Sequence, residues 1–89
     1  MTQDRRDELR SVSYDVDNAI CEIEDSNTIE DINAVIRDNS QMYLIANWTP
    51  QKEIKFNEGE EITKEIIEDE KQRILNDLYD LKAWLEDVL

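Results

Sequence analysis

The sequence predicts an all-α fold, a small bundle of about three helices ending in one long helix. Three observations lead there. Apolar residues recur at steps of three and four in separate segments, the period of one helix face. A single Gly and a single Pro leave few places to turn the chain, which favours a few long helices over many short strands. Positions 60–89 hold neither residue. With 89 residues the chain has room for one hydrophobic core, so residues 1–89 read as a single domain.

The first helix is expected over about 3–25, where Leu9, Val12, Val16, Ala19, Ile20 and Ile23 form one apolar stripe. "EDSNTIED" ends it and starts the next, and Asn27 with Glu30 three residues on has the spacing of a capping box. The second helix presents Ile29, Ile32, Val35 and Ile36. After "RDNS" the run "MYLIANW" has two readings. It continues the helix to about Ala46 and gives way to an irregular loop, or it forms a short hairpin with "EIKFN" across "TPQK", within 43–58. The first is favoured, because a lone two-stranded hairpin is marginal in water. In the last segment Ile67, Ile74, Leu78, Leu81, Leu85 and Val88 make the stripe, widened by Ile62, Ile66 and Trp84. About 28 residues of helix would be roughly 42 Å long. That exceeds the other helices, so one end should project, and its apolar seam suits either the chain's own core or a homodimer.

Catalytic chemistry has few footholds here. No histidine is present, which removes the commonest general base and metal ligand. Cys21 is the only cysteine, beside the apolar stripe, and reads as a half-buried thiol in a reducing compartment. No glycine-rich loop cradles a phosphate. "DVDN" begins like a calcium loop, but Ile20 and Ser26 stand where that loop needs Gly and Glu. The expectation is a non-enzyme without cofactor or metal. No apolar run is long enough to span a bilayer and no leader pattern opens the chain, so a cytoplasmic location is expected.

The charge is the distinctive feature. Asp and Glu number 23 against 10 Lys and Arg, a formal charge of −13. Nucleic acid and anionic lipid would both repel such a chain, so neither is an expected direct ligand. Asp4, Glu8, Asp15, Glu22 and Asp25 fall on one line of the first helix, about 120° around from its apolar stripe at 100° per residue. The stretch "FNEGEEITKEIIEDE" adds Glu58, Glu60, Glu61, Glu65, Glu68 and Asp69. Read as helix, it sets Glu61–Glu65, Glu65–Glu68 and Glu65–Asp69 at contact spacing, each costing a few tenths of a kcal/mol. Solubility needs only about half this net charge. These eleven carboxylates are the candidate partner-binding residues, with Trp48 or Phe56 either packed on the core or presented as an aromatic anchor.

Small size, strong acidity, no catalytic motif and long helices with carboxylate stripes resemble the DNA-mimic inhibitors of bacteriophages, the anti-CRISPR and anti-restriction proteins among them. The resemblance implies a partner whose basic groove normally holds nucleic acid. Alternatives of another class are a helical adaptor using the Ile67–Val88 seam, and an antitoxin or immunity protein for a basic toxin.

Overall fold

The computed structural model describes residues 1–89 and is all-helical. Four helices run in order: α1 (Gln3–Asp25), α2 (Ile29–Asp38), α3 (Ser40–Ala46) and α4 (Lys64–Val88). None is long and apolar enough to cross a membrane.

Threonine begins three of the four. Thr2, Thr28 and Thr63 each accept a hydrogen bond from the backbone N–H three residues on, at 3.1–3.2 Å. Each satisfies a donor that the first helical turn leaves free. The cap of α2 is therefore Thr28 rather than Asn27. Asn27 instead donates to the Asp25 carbonyl, tying off the end of α1.

The expected second helix is two. At Asn39 the side-chain amide donates to the Val35 carbonyl at 2.8 Å, offering the backbone a local alternative to the helical ladder. The chain breaks there and resumes as α3. Met42–Ala46 are helical, as favoured, and no hairpin forms. Asn47 then takes a left-handed conformation, φ 57°. Its N–H donates to the Leu44 carbonyl, and Trp48 N–H reaches back to Tyr43 at 2.8 Å. That Schellman arrangement aims Trp48 back at the bundle.

The start of α4 also differs from the 60–89 expected. A turn closes Asn57–Glu60 around Gly59, φ 88°, a conformation open to glycine at no steric cost. Thr63 then caps the helix at Lys64, leaving Ile62 outside it and 44% exposed. Glu61 thus precedes the helix, and the Glu61–Glu65 repulsion at helical spacing does not arise. At 25 residues α4 is about 37 Å long, close to α1, yet the molecule extends 50 Å. The excess length is offset. Lys82 reaches Asp17 and Lys71 reaches the Glu24 carbonyl, so α4 runs antiparallel to α1 and its first turns, 64–70, pass beyond the end of α1.

The two long helices close over one core. Leu9, Val12, Val16 and Ile23 of α1 and Ile74, Leu78, Leu81 and Leu85 of α4 are at most 1% exposed. Ile29, Ile32, Ile36, Met42 and Tyr43 complete it from α2 and α3. Val35, expected inside, is half-buried beside an open groove, and Cys21 is exposed on an uncovered side of α1.

Residues 47–63 form an irregular strap, and polar side chains hold it. Asn33 donates to the Ile54 carbonyl at 2.9 Å and accepts from the Ile54 N–H at 2.7 Å, doing for the strap what a neighbouring strand would do. Arg37–Glu53 at 3.6 Å and Arg73–Gln51 at 3.2 Å add weaker ties.

Two outcomes are expected. Leu78→Ala should lower unfolding free energy by about 2–5 kcal/mol in urea titrations, the range for a fully buried leucine. Asn33→Ala should cost about 1–3 kcal/mol, since it strands both backbone groups of Ile54. Hydrogen exchange should then lose protection at Ile54 while the α1–α4 amides keep theirs.

Candidate partner-binding surface

The α1 carboxylates Asp4, Glu8, Asp15, Glu22 and Asp25 are all exposed, on a line about 31 Å long at 1.5 Å per residue. Glu8 is ion-paired to Arg5 at 3.2 Å. The other four take no part in the chain's five ion pairs, which occupy Asp7, Glu8, Asp17, Glu53 and Glu70. The helix dipole favours Asp4, in the first turn of α1, but not Glu22 and Asp25. Both α1 and α4 end without a basic residue in the last turn. Glu22 and Asp25 lie at the negative end of α1, and Glu86 and Asp87 at that of α4. Carboxylates are disfavoured there by about 0.3–1 kcal/mol each before screening. Lys71 gives α1 partial relief, donating to the Glu24 carbonyl at 2.9 Å.

Tertiary structure adds acids that linear reading of α1 missed. Glu22 and Asp25 face Asp31 and Asp38 of α2 across an open groove, with Ala34 and Val35 between them. Asp31, Ala34 and Asp38 do follow a helical line in the sequence. Only the α1–α2 packing, however, sets that line beside the α1 stripe. No three of these carboxylates converge closely enough to hold a metal ion.

The second group gathers beyond the C-terminal end of α1, next to that groove. Glu58, Glu60 and Glu61 lie in the turn and linker before α4; Glu65, Glu68 and Asp69 lie in its overhanging first turns, all exposed. Glu60 accepts from the Asn57 side chain at 2.9 Å, so it steadies the turn as well. Glu65 sits in the first turn of α4, where the dipole favours it. The antiparallel offset places this group beyond the end of α1. The two acidic surfaces therefore succeed one another along the molecule and are not flanking lines on one body.

The aromatic candidates face inward. Trp48 packs against Trp84 with ring centroids 6.0 Å apart, and its Nε1 donates to Asp77 at 3.3 Å. Phe56 is half-buried against the core with Ile54. Burial of Tyr43, with the Asp77 carboxylate nearby, pushes its phenol well above the ordinary tyrosine range. The apolar stripe of α4 is likewise occupied within the chain, from Ile74 to Leu85.

Comparison with protein-family models, curated proteins and solved structures returns no match, so the functional reading rests on this surface alone.

If Trp48 serves the fold, Trp48→Ala should lower stability by about 2–4 kcal/mol, below the largest values for wholly buried tryptophans. Trp48→Phe keeps most of the packing and should lose about 1.5–3 kcal/mol, the range for a hydrogen bond to a charged group such as Asp77. Thermal unfolding separates these outcomes. An unchanged melting point for Trp48→Ala would assign the ring to a partner instead.

Proposed function

We propose that this chain is a protein-binding inhibitor whose carboxylates imitate a nucleic-acid backbone and occupy the basic groove of a nucleic-acid-binding complex. The anti-CRISPR and anti-restriction inhibitors it resembles in character are the nearest functional class. The observation that carries the reading is the lack of compensation on α1. Asp4, Asp15, Glu22 and Asp25 are exposed and unpaired, while Arg5, Arg10 and Lys82 are engaged with Glu8, Asp7 and Asp17 instead.

Charge density sets a condition on the reading. One DNA strand carries a phosphate about every 3.4 Å, whereas the five α1 acids are spaced about 8 Å apart on average. The α1 line alone is less than half as dense as one strand. Asp31 and Asp38 across the groove bring it closer, so the α1–α2 face is the better mimic and the Glu58–Asp69 end extends it. Opposite charge would speed encounter, and carboxylate–Arg pairs would hold the complex. The adaptor reading has less support, because the α4 stripe it would use is buried in the chain's own core.

The test separates charge from fold. Three variants neutralise Glu61, Glu65 and Glu68 to Gln; Asp15 and Glu22 to Asn and Gln; and Asp31 and Asp38 to Asn. The Asp15/Glu22 variant should melt at or above wild type, since repulsion is relieved, and the other two should stay within about 1 kcal/mol of it, since Glu65 and Asp31 also lose a favourable helix-dipole contact. A nucleic-acid-binding protein captured from host lysate should then be released from DNA less effectively. The loss should be roughly 1.5–3 kcal/mol for each charge-assisted hydrogen bond removed. Variants that melt normally and still displace DNA equally well would end the mimic reading.

A further inference from the structure

One surface of this acidic molecule is nearly neutral. Along the outer seam between α1 and α4, α1 contributes Arg10, Tyr14, Asp17, Cys21 and Glu24 at steps of four and three. Facing them, α4 contributes Lys71, Tyr79, Lys82 and Glu86. With Asp7, which pairs with Arg10 at 3.2 Å, three cations and four carboxylates stand here, a net −1 in a chain whose formal charge is −13. They are interlocked: Lys82 pairs with Asp17 at 3.0 Å, and Tyr79 donates its hydroxyl to Glu24 at 3.1 Å. The hydrogen bond to Glu24 raises the Tyr79 phenol above its ordinary value, and the Asp17 contact raises Lys82.

The same seam gathers exposed apolar surface. Of the six large hydrophobic residues left exposed, Tyr14 (75%), Tyr79 (45%) and Leu89 (42%) lie on it. Arg10, Ser13, Tyr14, Asp17 and Leu89 line a shallow depression where the end of α4 meets α1. No other element covers this side, because Tyr14, Cys21 and Tyr79 are all exposed.

We infer that the outer α1–α4 seam is a self-association surface whose occupant is a second copy of this chain, packed about a two-fold axis. A cationic partner would gain little from a nearly neutral seam, and a nucleic acid would be repelled by the rest of the body. A second copy meets nearly neutral surface with nearly neutral surface, can set the cations of one copy near the carboxylates of the other, and buries tyrosines, which dominate many interfaces. It also leaves the α1–α2 groove and the α4 overhang facing outward. The size fits a weak dimer. Residues 71–88 of α4 overlap α1 over about 27 Å in a body 17 Å across, so a contact covering that whole side would bury about 450 Å² per copy and about 900 Å² in all. That is just under the usual size of a specific interface, so the dimer should be weak and depend on concentration.

Salt gives the association a distinctive sign. Two chains of −13 repel at long range while the seam itself is nearly neutral, so screening should strengthen the dimer. Binding through acids to a basic groove should instead weaken with salt, which keeps failure of this inference separate from failure of the mimic reading.

The experiment is sedimentation equilibrium of the whole chain over a concentration series at low and high salt, for wild type and Tyr14→Glu. Wild type should show a monomer–dimer equilibrium that tightens with salt. Tyr14→Glu should weaken it about tenfold or more with an unchanged helical spectrum, since that side chain is mostly outside the fold. A nitroxide on Cys21, the only cysteine, should give one inter-copy distance in pulsed dipolar spectroscopy without any core change. A wild type that stays monomeric at every concentration and salt would overturn the inference, including where Tyr14 is instead protected by a different protein. So would a dimer indifferent to Tyr14→Glu, or one that salt dissolves.

Discussion

The contact between α1 and α4 is the constraint on which the remaining structure depends. Eight of its side chains, Leu9 to Ile23 on one helix and Ile74 to Leu85 on the other, are essentially removed from water. Burial of each such side chain is worth about 1.5–3 kcal/mol, against a few tenths for a like-charge pair on a helix surface. One buried leucine therefore outweighs several unfavourable carboxylate pairs. That ratio is why a chain with 23 acids can hold a defined fold, and why its acids need not be arranged for stability. Glu22, Asp25, Glu86 and Asp87, at the negative ends of both long helices, are placed against it, although Asp4 and Glu65 sit at favourable positive ends.

The short elements are held by polar chemistry instead. Threonine caps start α1, α2 and α4, Asn39 divides α2 from α3, and Asn47 ends α3. Asn33 then clamps the strap, and Trp48 crosses from it to Trp84 and Asp77. These bonds fix where each acid points. Glu53 and Glu60 are engaged in structural contacts, whereas Asp31 and Asp38 are directed by α2 into the groove beside Glu22 and Asp25.

Much of this is legible in the sequence because it is periodic. The α1 and α4 stripes repeat the helical step over many turns, so Leu9, Val16, Leu78 and Leu85 announce themselves as core. The outward line from Asp4 to Asp25 follows from the same rotation. Single-residue decisions are less legible. Asn27 and Thr28 are both good caps, and only the backbone geometry chooses Thr28. Ile62 and Ile66 fit the α4 stripe by spacing, yet Gly59 and Thr63 place the helix start after Ile62. Long-range features are illegible: that Asn33 would meet Ile54, that Asp31 would lie beside Glu22, and that the two acidic groups would follow one another rather than run side by side. Cys21 reads as half-buried beside its stripe and is exposed, because no element of this chain covers the outer seam.

The central claim is that the carboxylates stand uncompensated on a fold held together by apolar burial. Urea unfolding at increasing sodium chloride, at two protein concentrations so that association is separable, tests it most directly. Urea is uncharged, and the Debye length falls from about 30 Å at 0.01 M salt to about 3 Å at 1 M. If self-repulsion dominates, the concentration-independent unfolding free energy should rise with salt and level off as screening becomes complete. A stability that falls as salt is added would mean that ion pairs outweigh repulsion, and would contradict the account.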